Sequence, residues 1–420
     1  MKPIREYHEV LVLRAIRTEK SISRIELARK LKLSRSTITL ITHRMVSAGL
    51  LLEVGKGRST ERGGRREVLL ALNPKMGVIM AAEIERNYTR LALLDIFANV
   101  IASRSIEYSK ESKAEHLMSK IVQSFNELLA EQRFTKEQVI GIGLGVPGII
   151  DYATRMVKEG YNTKRWEGYP ICEILSHIFQ VPVFLENNVK SVTLGEHHFG
   201  SGLSFDNLVC FWFGDGIGVG IMNHGQLLRG ENNSAGEIGF TELFPGIQSN
   251  LSFLADSNNR IWGDLLSLAN IQAAVAKGIA SGWSTRLEVG CDVAAFLRAA
   301  EQSDPLALHL LKILGQLVTH IISQVVYFYN PSVFVLSGPL FFTSHLLYHE
   351  LLNNIEHNVL IEPIQRTDFR MSSLRENGVL IGAGSLVIDD LFRLPDGENR
   401  SLTRDALVPP ESPGDRSRGL

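Results

Sequence analysis

The sequence predicts an α/β protein in two parts, a small basic head of helices with one hairpin and a larger body in which strands and helices alternate. Charge separates the parts: residues 1–74 hold 16 Lys+Arg and 7 Asp+Glu, and the remaining 346 residues hold 28 and 38, giving net charges of +9 and −10. Helical periodicity dominates the first 50 residues, whereas strand-like apolar runs ending in glycine turns recur from Val78 onward. These patterns predict a head over residues 1–74, a body over 75–393 and a disordered Pro-, Ser- and charge-rich tail over 394–420.

Two short helices joined by a tight turn are predicted in the head. Ser23 opens the first helix, and Glu26 three residues later completes a capping box. Lys32 and Leu33 form the turn, after which Ser34 caps a second helix that runs to Ala48 before a glycine. An amphipathic stretch upstream, IREYHEVLVLRAIR, would complete a three-helix core. This arrangement is typical of a helix-turn-helix.

The second helix has the character of a recognition helix. Ile38, Ile41 and Met45 recur at helical spacing and predict its buried face. Small polar side chains and an arginine occupy the opposite face and the first turn, which suits entry into the major groove of DNA. The predicted contacts from this unit are Arg24, Arg35, Ser36, Thr37, Thr39, His43 and Arg44.

A basic loop follows, flanked by the strand-like runs LLLEV and EVLLAL. Its sequence, GKGRSTERGGRR, has a single acid, Glu61. Considered alone, such a loop could equally be the solvated tip of a hairpin or a DNA-binding wing. Directly after a helix-turn-helix it predicts a wing that reaches phosphates or the minor groove. The predicted wing contacts are Lys56, Arg58, Arg62, Arg65 and Arg66.

The body repeats a pattern of strands and helices. VIMAAEI, TRLALLDIF and VIASRSIEY predict three strands, followed by an amphipathic helix and the buried strand of VIGIGLGVPGIID. A second cycle starts near Asn207, and its long apolar segment, residues 305–329, is expected to pack in the core. Two βββαβα-like halves predict two lobes with a cleft between them.

Composition limits where the protein works. The three cysteines, Cys172, Cys210 and Cys291, lie far apart, which indicates a reducing compartment without a disulfide framework. The sequence shows no signal-peptide pattern, and no apolar run is expected to be long enough to cross a membrane. We therefore expect a cytoplasmic protein without a membrane partner.

Four glycine-containing motifs in the body, GIGLGVPGIID, FGDGIGVGI, AGEIG and LSGPL, occur in an order that resembles the ROK family of repressors, open reading frames and kinases. The resemblance covers nearly the whole chain. It implies an actin-like ATPase (ribonuclease H-like) fold in two lobes, used in the family either by sugar kinases or by transcription factors with a sugar-sensing body. The winged head places this chain with the transcription factors.

Two family motifs needed for phosphoryl transfer are altered. The resemblance aligns a D-x-G-G-T phosphate loop with residues 83–87, where Glu85 and Arg86 replace the glycines, and a side chain there fills the space that phosphate needs. The family's Asn-Asp pair, whose Asp is the general base, aligns with Asn187 and Asn188. A carboxamide cannot accept the proton. Asn188 could instead be a simple helix cap, and on either interpretation no catalytic residue and no cofactor is expected.

The family's metal and sugar ligands are partly lost as well. The resemblance places Phe240 at a histidine position ahead of a cysteine-rich zinc segment, but residues 239–266 contain no cysteine, so no metal site is expected. Leu266 aligns with a sugar-binding glutamate. Trp166 could stack on a sugar or belong to the core. These apolar replacements predict a less polar ligand or a decayed site, whose implied contacts are Asn162, Asn187, Asn188 and Glu237.

Together these features predict a sequence-specific DNA-binding regulator, a repressor of carbohydrate-utilisation genes with an inactive kinase-like body. The expected partners are a palindromic double-stranded operator, a sugar or sugar-phosphate effector and further copies of the chain in a homodimer or homotetramer. Two alternatives stay open. The body could serve only for dimerisation or for binding a protein partner, or the chain could be an active sugar kinase with an accessory head.

Overall fold

The head is a winged helix-turn-helix. The computed structural model describes residues 2–56, 67–109, 111–160, 163–243, 254, 261–358 and 362–394. The elements of the head are α1 (Lys2–Glu19), β1 (Ile22–Ser23), α2 (Arg24–Leu31), α3 (Arg35–Ser47), β2 (Leu51–Lys56) and β3 (Val68–Leu72). The three strands form an antiparallel sheet in the order β1-β3-β2. The predicted helix-turn-helix and its hairpin are therefore confirmed.

Local hydrogen bonds explain why the two short helices begin where they do. The Ser23 hydroxyl accepts from the Glu26 amide, and the Glu26 carboxylate accepts from the Ser23 amide at 3.0 Å, so the predicted capping box is present. Lys32 adopts a left-handed conformation with φ of 52° and ends α2. Ser34 then caps α3 by accepting from the Thr37 amide at 3.0 Å.

The first lobe of the body carries a five-stranded sheet in the order β10-β7-β4-β5-β6. β7 runs parallel to β4 and β10, whereas β5 is antiparallel to both of its neighbours. A separate two-stranded ribbon joins β8 and β9. The elements of this lobe are β4 (Val78–Ile84), β5 (Tyr88–Leu94), β6 (Val100–Glu107), α4 (Ala114–Glu131), β7 (Val139–Val146), β8 (Ile149–Asp151), β9 (Met156–Glu159), α5 (Ile171–Phe179) and β10 (Val183–Asn187).

The second lobe repeats the plan with a sheet in the order β13-β12-β11-β14-β15. Its elements are α6 (Asn188–Phe199), β11 (Leu208–Phe213), β12 (Ile217–Asn223), β13 (Gln226–Leu227), α7 (Trp262–Leu265), α8 (Leu268–Ala280), α9 (Val293–Glu301), α10 (Pro305–Tyr329), β14 (Val333–Ser337), α11 (Pro339–Thr343), α12 (Leu346–Asn358), α13 (Glu362–Arg366), β15 (Asp368–Met371) and α14 (Gly378–Leu391). The predicted two-lobed α/β fold is confirmed. The predicted tail from residue 395 lies outside the described residues.

Two helices, α6 and α14, connect the lobes by packing tightly against each other. α14 also packs on β4, β7 and β10 of the first lobe, whereas α6 packs on β11 and β12 of the second. Glycines allow this approach: a Cβ on Gly382 would lie 1.7 Å from the Ser191 carbonyl oxygen, and one on Gly195 would lie 2.8 Å from the Gly378 carbonyl oxygen. The two helices are thus in backbone contact.

Helix α10, residues Pro305–Tyr329, is the long apolar helix of the core. By length and composition it could cross a membrane, so the expectation that no apolar run reaches that length is wrong. However, 67% of its apolar window is buried inside the protein. Leu310, Leu314 and Ile321 are fully buried in the core of the second lobe. Burial accounts for the composition of α10, as expected for a core helix.

Substituting alanine for Gly382 tests the backbone contact. The added methyl group must displace the Ser191 carbonyl, and we expect the free energy of unfolding to fall by about 2–3 kcal/mol despite the better helix propensity of alanine. Gly216→Ala is the matched control, because no heavy atom lies within 4 Å of a Cβ there, and it should change stability by less than about 0.5 kcal/mol. Urea denaturation measures both, and equal effects would contradict the packing argument.

Candidate functional site

The exposed face of α3 presents the predicted polar contacts to solvent. Arg35, Ser36, Thr39 and His43 are exposed. The buried side is formed by Ile38, Ile41 and Met45 as predicted, together with Thr42. The Thr39 hydroxyl donates to the Arg35 carbonyl at 2.8 Å, which leaves its oxygen lone pairs facing outward. This face can therefore offer hydrogen-bond donors and acceptors to base edges.

The other predicted contacts of this unit are already engaged within the head. Thr37 is partly buried and its amide is bound by the Ser34 cap. The Arg24 guanidinium bonds Thr42 and Glu53, each at 3.0 Å. Arg44 forms an ion pair with Glu9 of α1 at 2.7 Å. These arginines brace the helices of the head, and their contact with DNA stays a prediction.

The predicted wing lies between β2 and β3. The last pair of the hairpin that is described joins Lys56 to Val68. Lys56 therefore ends the strand from which the basic loop departs. The remaining predicted wing contacts, Arg58, Arg62, Arg65 and Arg66, lie outside the described residues.

One residue on the exposed face of α3 was missed from the sequence. Leu40 is 63% exposed and lies next to Ser36 and His43 at helical spacing. Its signal was its position, two residues after the buried Ile38 and therefore on the far side of the helix. An exposed leucine in the middle of a recognition face suits contact with the methyl group of thymine.

In the body, the predicted effector residues begin α6. Asn187 caps the helix: its Oδ1 accepts from the Val189 amide at 2.8 Å and from the Lys190 amide at 3.2 Å, and its Nδ2 donates to the Gly148 carbonyl at 2.9 Å. The side-chain polar atoms of Asn187 are thus used inside the protein. The cap that was considered for Asn188 belongs to Asn187.

Asn188 reaches the loop that corresponds to the phosphate loop of the kinases. It is 4% exposed, and its Nδ2 donates to the Glu85 carboxyl at 2.6 Å and to the Ile84 carbonyl at 3.2 Å. Its Oδ1 is buried without a hydrogen-bond partner among the described residues. In the alignment that the family resemblance implies, this hydrogen bond joins the side chain at the general-base position to one in the phosphate loop.

Two glutamates at the end of β4 lie beside Asn188 at the carboxyl edge of the first sheet. Glu83 forms an ion pair with Arg90 at 3.3 Å. Burial raises the pKa of Glu83 to about 7, and Arg90 only partly opposes that shift. Burial raises the pKa of Glu85 well above its usual range, and the charges of Glu83 and of Asp215 in the second lobe raise it further.

A buried ionic network beside Asn187 was also missed. Glu186 is fully buried, accepts from the Arg229 guanidinium at 2.9 Å and from the Tyr152 hydroxyl, and Arg229 lies over the Tyr152 ring at 5.0 Å. Lys190, 3% exposed, donates to the Asn233 carbonyl. The sequence did contain a signal for this network, because the ionisable residues Glu186 and Lys190 flank Asn187 and Asn188.

Glu237, the acidic residue of the predicted effector set, lies near this network. Burial raises its pKa, and the positive charge of Lys190 opposes the shift. Asn162 lies outside the described residues. The structure thus places Asn187 and Asn188 at the start of α6, and Glu237 lies near Lys190 in the first turn of the same helix.

Three further residues considered for ligand binding differ in environment. Leu266 is fully buried in the core of the second lobe, so it lines no open site. Trp166 is 1% exposed and packs edge-on against Tyr169, which favours the core alternative. Phe240, by contrast, is 49% exposed.

No cluster of three or more His, Cys, Asp or Glu side chains suitable for a metal ion is found in the described part of the chain. His197 and His198 lie on the last turn of α6 with ring centroids 5.0 Å apart. Burial, and then His198, lower the pKa of His197 to about 4. These histidines border the head rather than the cleft.

Fold and sites together define the class: a winged helix-turn-helix DNA-binding domain joined to a two-lobed, sugar-kinase-like body. The sequence profile of the ROK family matches residues 79–390, and that of the MarR family matches residues 6–52. The chain belongs to the ROK family.

Its relatives include named regulators. The xylose repressor of Caldicellulosiruptor bescii is 24% identical over 398 residues, covering 94% of this chain and 98% of the relative. The xylose repressor of Bacillus subtilis is 22% identical over 387 residues, covering 92% and 96%. The DNA-binding transcriptional dual regulator NagC of Escherichia coli is 24% identical over 343 residues, covering 80% and 81%.

Solved structures share the fold. A ROK family transcriptional regulator, a homologue of the E. coli MLC protein, superposes with a TM-score of 0.75 at 22% identity, covering 93% of this chain and 97% of that one. A ROK family glucokinase from Streptomyces griseus, in complex with glucose and AMPPNP, superposes at 0.63 with 19% identity, covering 74% and 99%.

The role of Leu40 can be tested by deleting thymine methyl groups. In a bound operator, replacing the contacted thymine by uracil should weaken binding of the native protein about fourfold, the equivalent of about 0.8 kcal/mol for one buried methyl group. Leu40→Ala should bind both operators equally. Leu203→Ala, which alters an exposed leucine of the body, should keep the fourfold difference. Uracil scanning by fluorescence anisotropy measures these affinities. The same loss of affinity on uracil substitution in all three proteins would contradict a contact between Leu40 and the thymine methyl group.

The buried Glu83 makes stability depend on pH. Since its pKa is about 7 in the folded protein and about 4.5 unfolded, the folded state keeps the proton longer. The free energy of unfolding should therefore fall as pH rises from about 4.5 to 7, by about 3 kcal/mol relative to Glu83→Gln, and the difference should then level off. Glu288→Gln, at an exposed position, is the control. Denaturation at five pH values checks this, and a pH-independent difference would contradict it.

Proposed function

We propose that this protein is a sequence-specific transcriptional repressor of carbohydrate-utilisation genes, located in the cytoplasm, whose body senses a sugar-derived effector and transfers no phosphate. The observation that carries the proposal is the exposed polar face of α3 with Arg35, Ser36, Thr39 and His43, held by capped helices next to a basic hairpin loop. Such a unit reads the major groove while the wing contacts the neighbouring backbone.

The contact between Asn188 and Glu85 supports the proposed absence of kinase activity. A kinase of this fold needs a base for the sugar hydroxyl and a loop of open backbone amides for phosphate. Here the Asn188 amide cannot take up a proton, and it donates to Glu85, whose side chain occupies the loop. Glu83 and Asp215 are further carboxyl groups near Glu85, and carboxyl groups disfavour a phosphate beside them.

The effector site proposed lies at the amino-terminal turn of α6, with Asn162, Asn187, Asn188 and Glu237 as its contacts. The xylose repressors among the relatives, and an N-acetylglucosamine repressor of Escherichia coli O157:H7 that is 24% identical over 343 residues, make xylose and N-acetylglucosamine the first compounds to try. Because Asn187 and Asn188 bond protein groups, an effector has to exchange those hydrogen bonds for its own. Such an exchange requires rearrangement of the cleft, which gives the ligand a means of favouring one conformation.

The operator is proposed to be palindromic, with one head of a homodimer or homotetramer on each half-site. Two-fold assemblies place their recognition helices about 34–36 Å apart, one turn of DNA, or at multiples of that distance. Effector binding would alter the relative placement of the heads and so their fit to the two half-sites. A coupling of about 1–3 kcal/mol is enough for regulation.

Genomic fragments retained by the purified protein, sequenced with and without a panel of free sugars and sugar phosphates, test the proposal. A shared palindrome that is released or tightened by one compound is the expected result. A palindrome indifferent to every compound would favour a body that only dimerises or binds a protein partner. That alternative is favoured by the internal bonds of Asn187 and by the burial of Leu266 in the core. Enrichment of no sequence would overturn the proposal.

Asn188→Asp tests the absence of phosphoryl transfer more strictly than the native protein does. It restores the family's base, yet we expect ADP release with glucose, xylose or N-acetylglucosamine to stay at background, because Glu85 still occupies the loop. A coupled ADP-release assay measures this, with a ROK glucokinase as positive control. Turnover above background in the native protein or in Asn188→Asp would show that the body retains kinase activity.

A further inference from the structure

One contact between head and body is formed by an arginine of the head and the ends of two body helices. Arg17, near the end of α1, lies over the Phe392 ring at 4.8 Å and over the Phe199 ring at 5.9 Å. Phe199 is the last residue of α6, and Phe392 directly follows α14. The guanidinium therefore sits where the two connecting helices of the body end.

Apolar packing continues around this arginine. Val12, Leu13 and Ile16 of α1 belong to the same buried cluster as Ile388 and Phe392 of the body. The head is thus docked by a continuous core at this point. Displacement of the helix ends must therefore either carry α1 along or open buried apolar surface.

The electrostatics of the joint are confined to few groups. Burial lowers the pKa of Arg17, and the charge of Asp389 opposes that shift. Asp389 also lies 3.8 Å from Nδ1 of His198. The Nη1 atom of Arg17 is buried without a hydrogen-bond partner among the described residues. Ring faces, which attract a cation without fixing its direction as hydrogen bonds do, thus supply much of the contact.

The opposite end of α6 is the proposed effector site. Asn188 begins the helix and bonds Glu85 and Ile84 of the first lobe, while Lys190, two residues further on, bonds Asn233 of the second. With 12 residues, α6 extends about 18 Å from there to Phe199. Its backbone contact with α14 at Gly382 and Gly195 leaves no space for the two helices to slide independently.

From this geometry we infer that α6 is the element that couples the effector cleft to the DNA-binding head, and that Arg17 is the positioning residue that reads its displacement. A ligand that exchanges the bonds of Asn188 shifts the start of α6. The helix pair transmits the shift to Phe199 and Phe392, and Arg17 carries it into α1, which packs on α2 and α3. The inference rests on the proposed function for its effect on operator binding, but the mechanical link exists without DNA.

The test releases the cleft end of α6 and measures the response of the head. Asn188→Ala and Glu85→Ala cut the same hydrogen bond from its two sides. In either variant, hydrogen–deuterium exchange of the peptide covering residues 8–19 should change at least threefold relative to the parent protein, with no DNA present. The same substitutions in an Arg17→Ala background should leave that exchange equal to the Arg17→Ala parent.

Two further variants separate coupling from damage to the joint. Arg393→Ala removes an arginine beside Phe392 that pairs with Asp390 and lies over no head residue in the cation–π contacts described, so it should preserve the response. Phe392→Leu keeps apolar volume but removes the ring, and should reduce the response as Arg17→Ala does. If Arg17→Ala fails to fold, Phe392→Leu and the charge-retaining Arg17→Lys, which loses the planar stacking, supply the same comparison.

The outcomes distinguish this inference from the proposed function. A head that does not respond to either cleft variant, or that responds equally with and without Arg17, would overturn the inference while leaving DNA binding intact. Operator affinity by anisotropy is the second measurement, and a change of at least fivefold in the cleft variants that is lost in the Arg17→Ala background supports it. If the cleft variants change hydrogen–deuterium exchange in the head but the native protein retains no DNA, the proposed function alone is refuted.

Discussion

The backbone contact between α6 and α14 is the constraint on which the arrangement of this molecule depends. It exists because glycines at 382 and 195 let main chain touch main chain. α14 covers the first sheet and α6 the second, so their separation determines how the lobes meet. The head docks at the ends of the same two helices. The two lobes, the start of α6 and the head are therefore all connected through the framework of α6 and α14.

Around that framework the protein places two carboxyl groups, Glu83 and Glu85, at the end of β4. Glu83 and Glu85 are tolerated because Arg90 and Asn188 supply partners and because a raised pKa lets each carboxyl hold its proton. On the other side of Asn187, Glu186 is ionically paired with Arg229. Removing one member of such a pair costs more than the pair contributes, since the other is left unpaired in a dry site. The polar interior thus fixes the cleft in its present form.

The sequence was most informative where local rules determine structure. The capping box at Ser23, the cap at Ser34 and the buried stripe of α3 follow from neighbours three and four residues apart, and all were predicted. The short strands β8, β9, β13 and β15 were not, because they form only through pairing with partners and carry little periodicity of their own. The repeated alternation of strands and helices predicted the two lobes, and the order of glycine motifs added the actin-like fold through family resemblance.

The site was predicted less completely, for a related reason. The family resemblance pointed to Asn187, Asn188 and Glu85, but the sequence could not show that Asn188 and Glu85 bond each other across about a hundred residues of chain. Nor could it show that Arg24 and Arg44 would be engaged by Glu53 and Glu9, or that Leu266 would be buried in the core. Such pairings depend on tertiary distances, and one sequence does not contain them.

The bond between Glu85 and Asn188 also has an evolutionary consequence. Return to phosphoryl transfer would require an acid at 188 and a small residue at 85. Changing 188 first places two carboxyl groups side by side in a buried site, and changing 85 first leaves a buried amide without its acceptor. Each single step is disfavoured, whichever comes first. The contact is therefore a barrier to the stepwise gain of phosphoryl transfer.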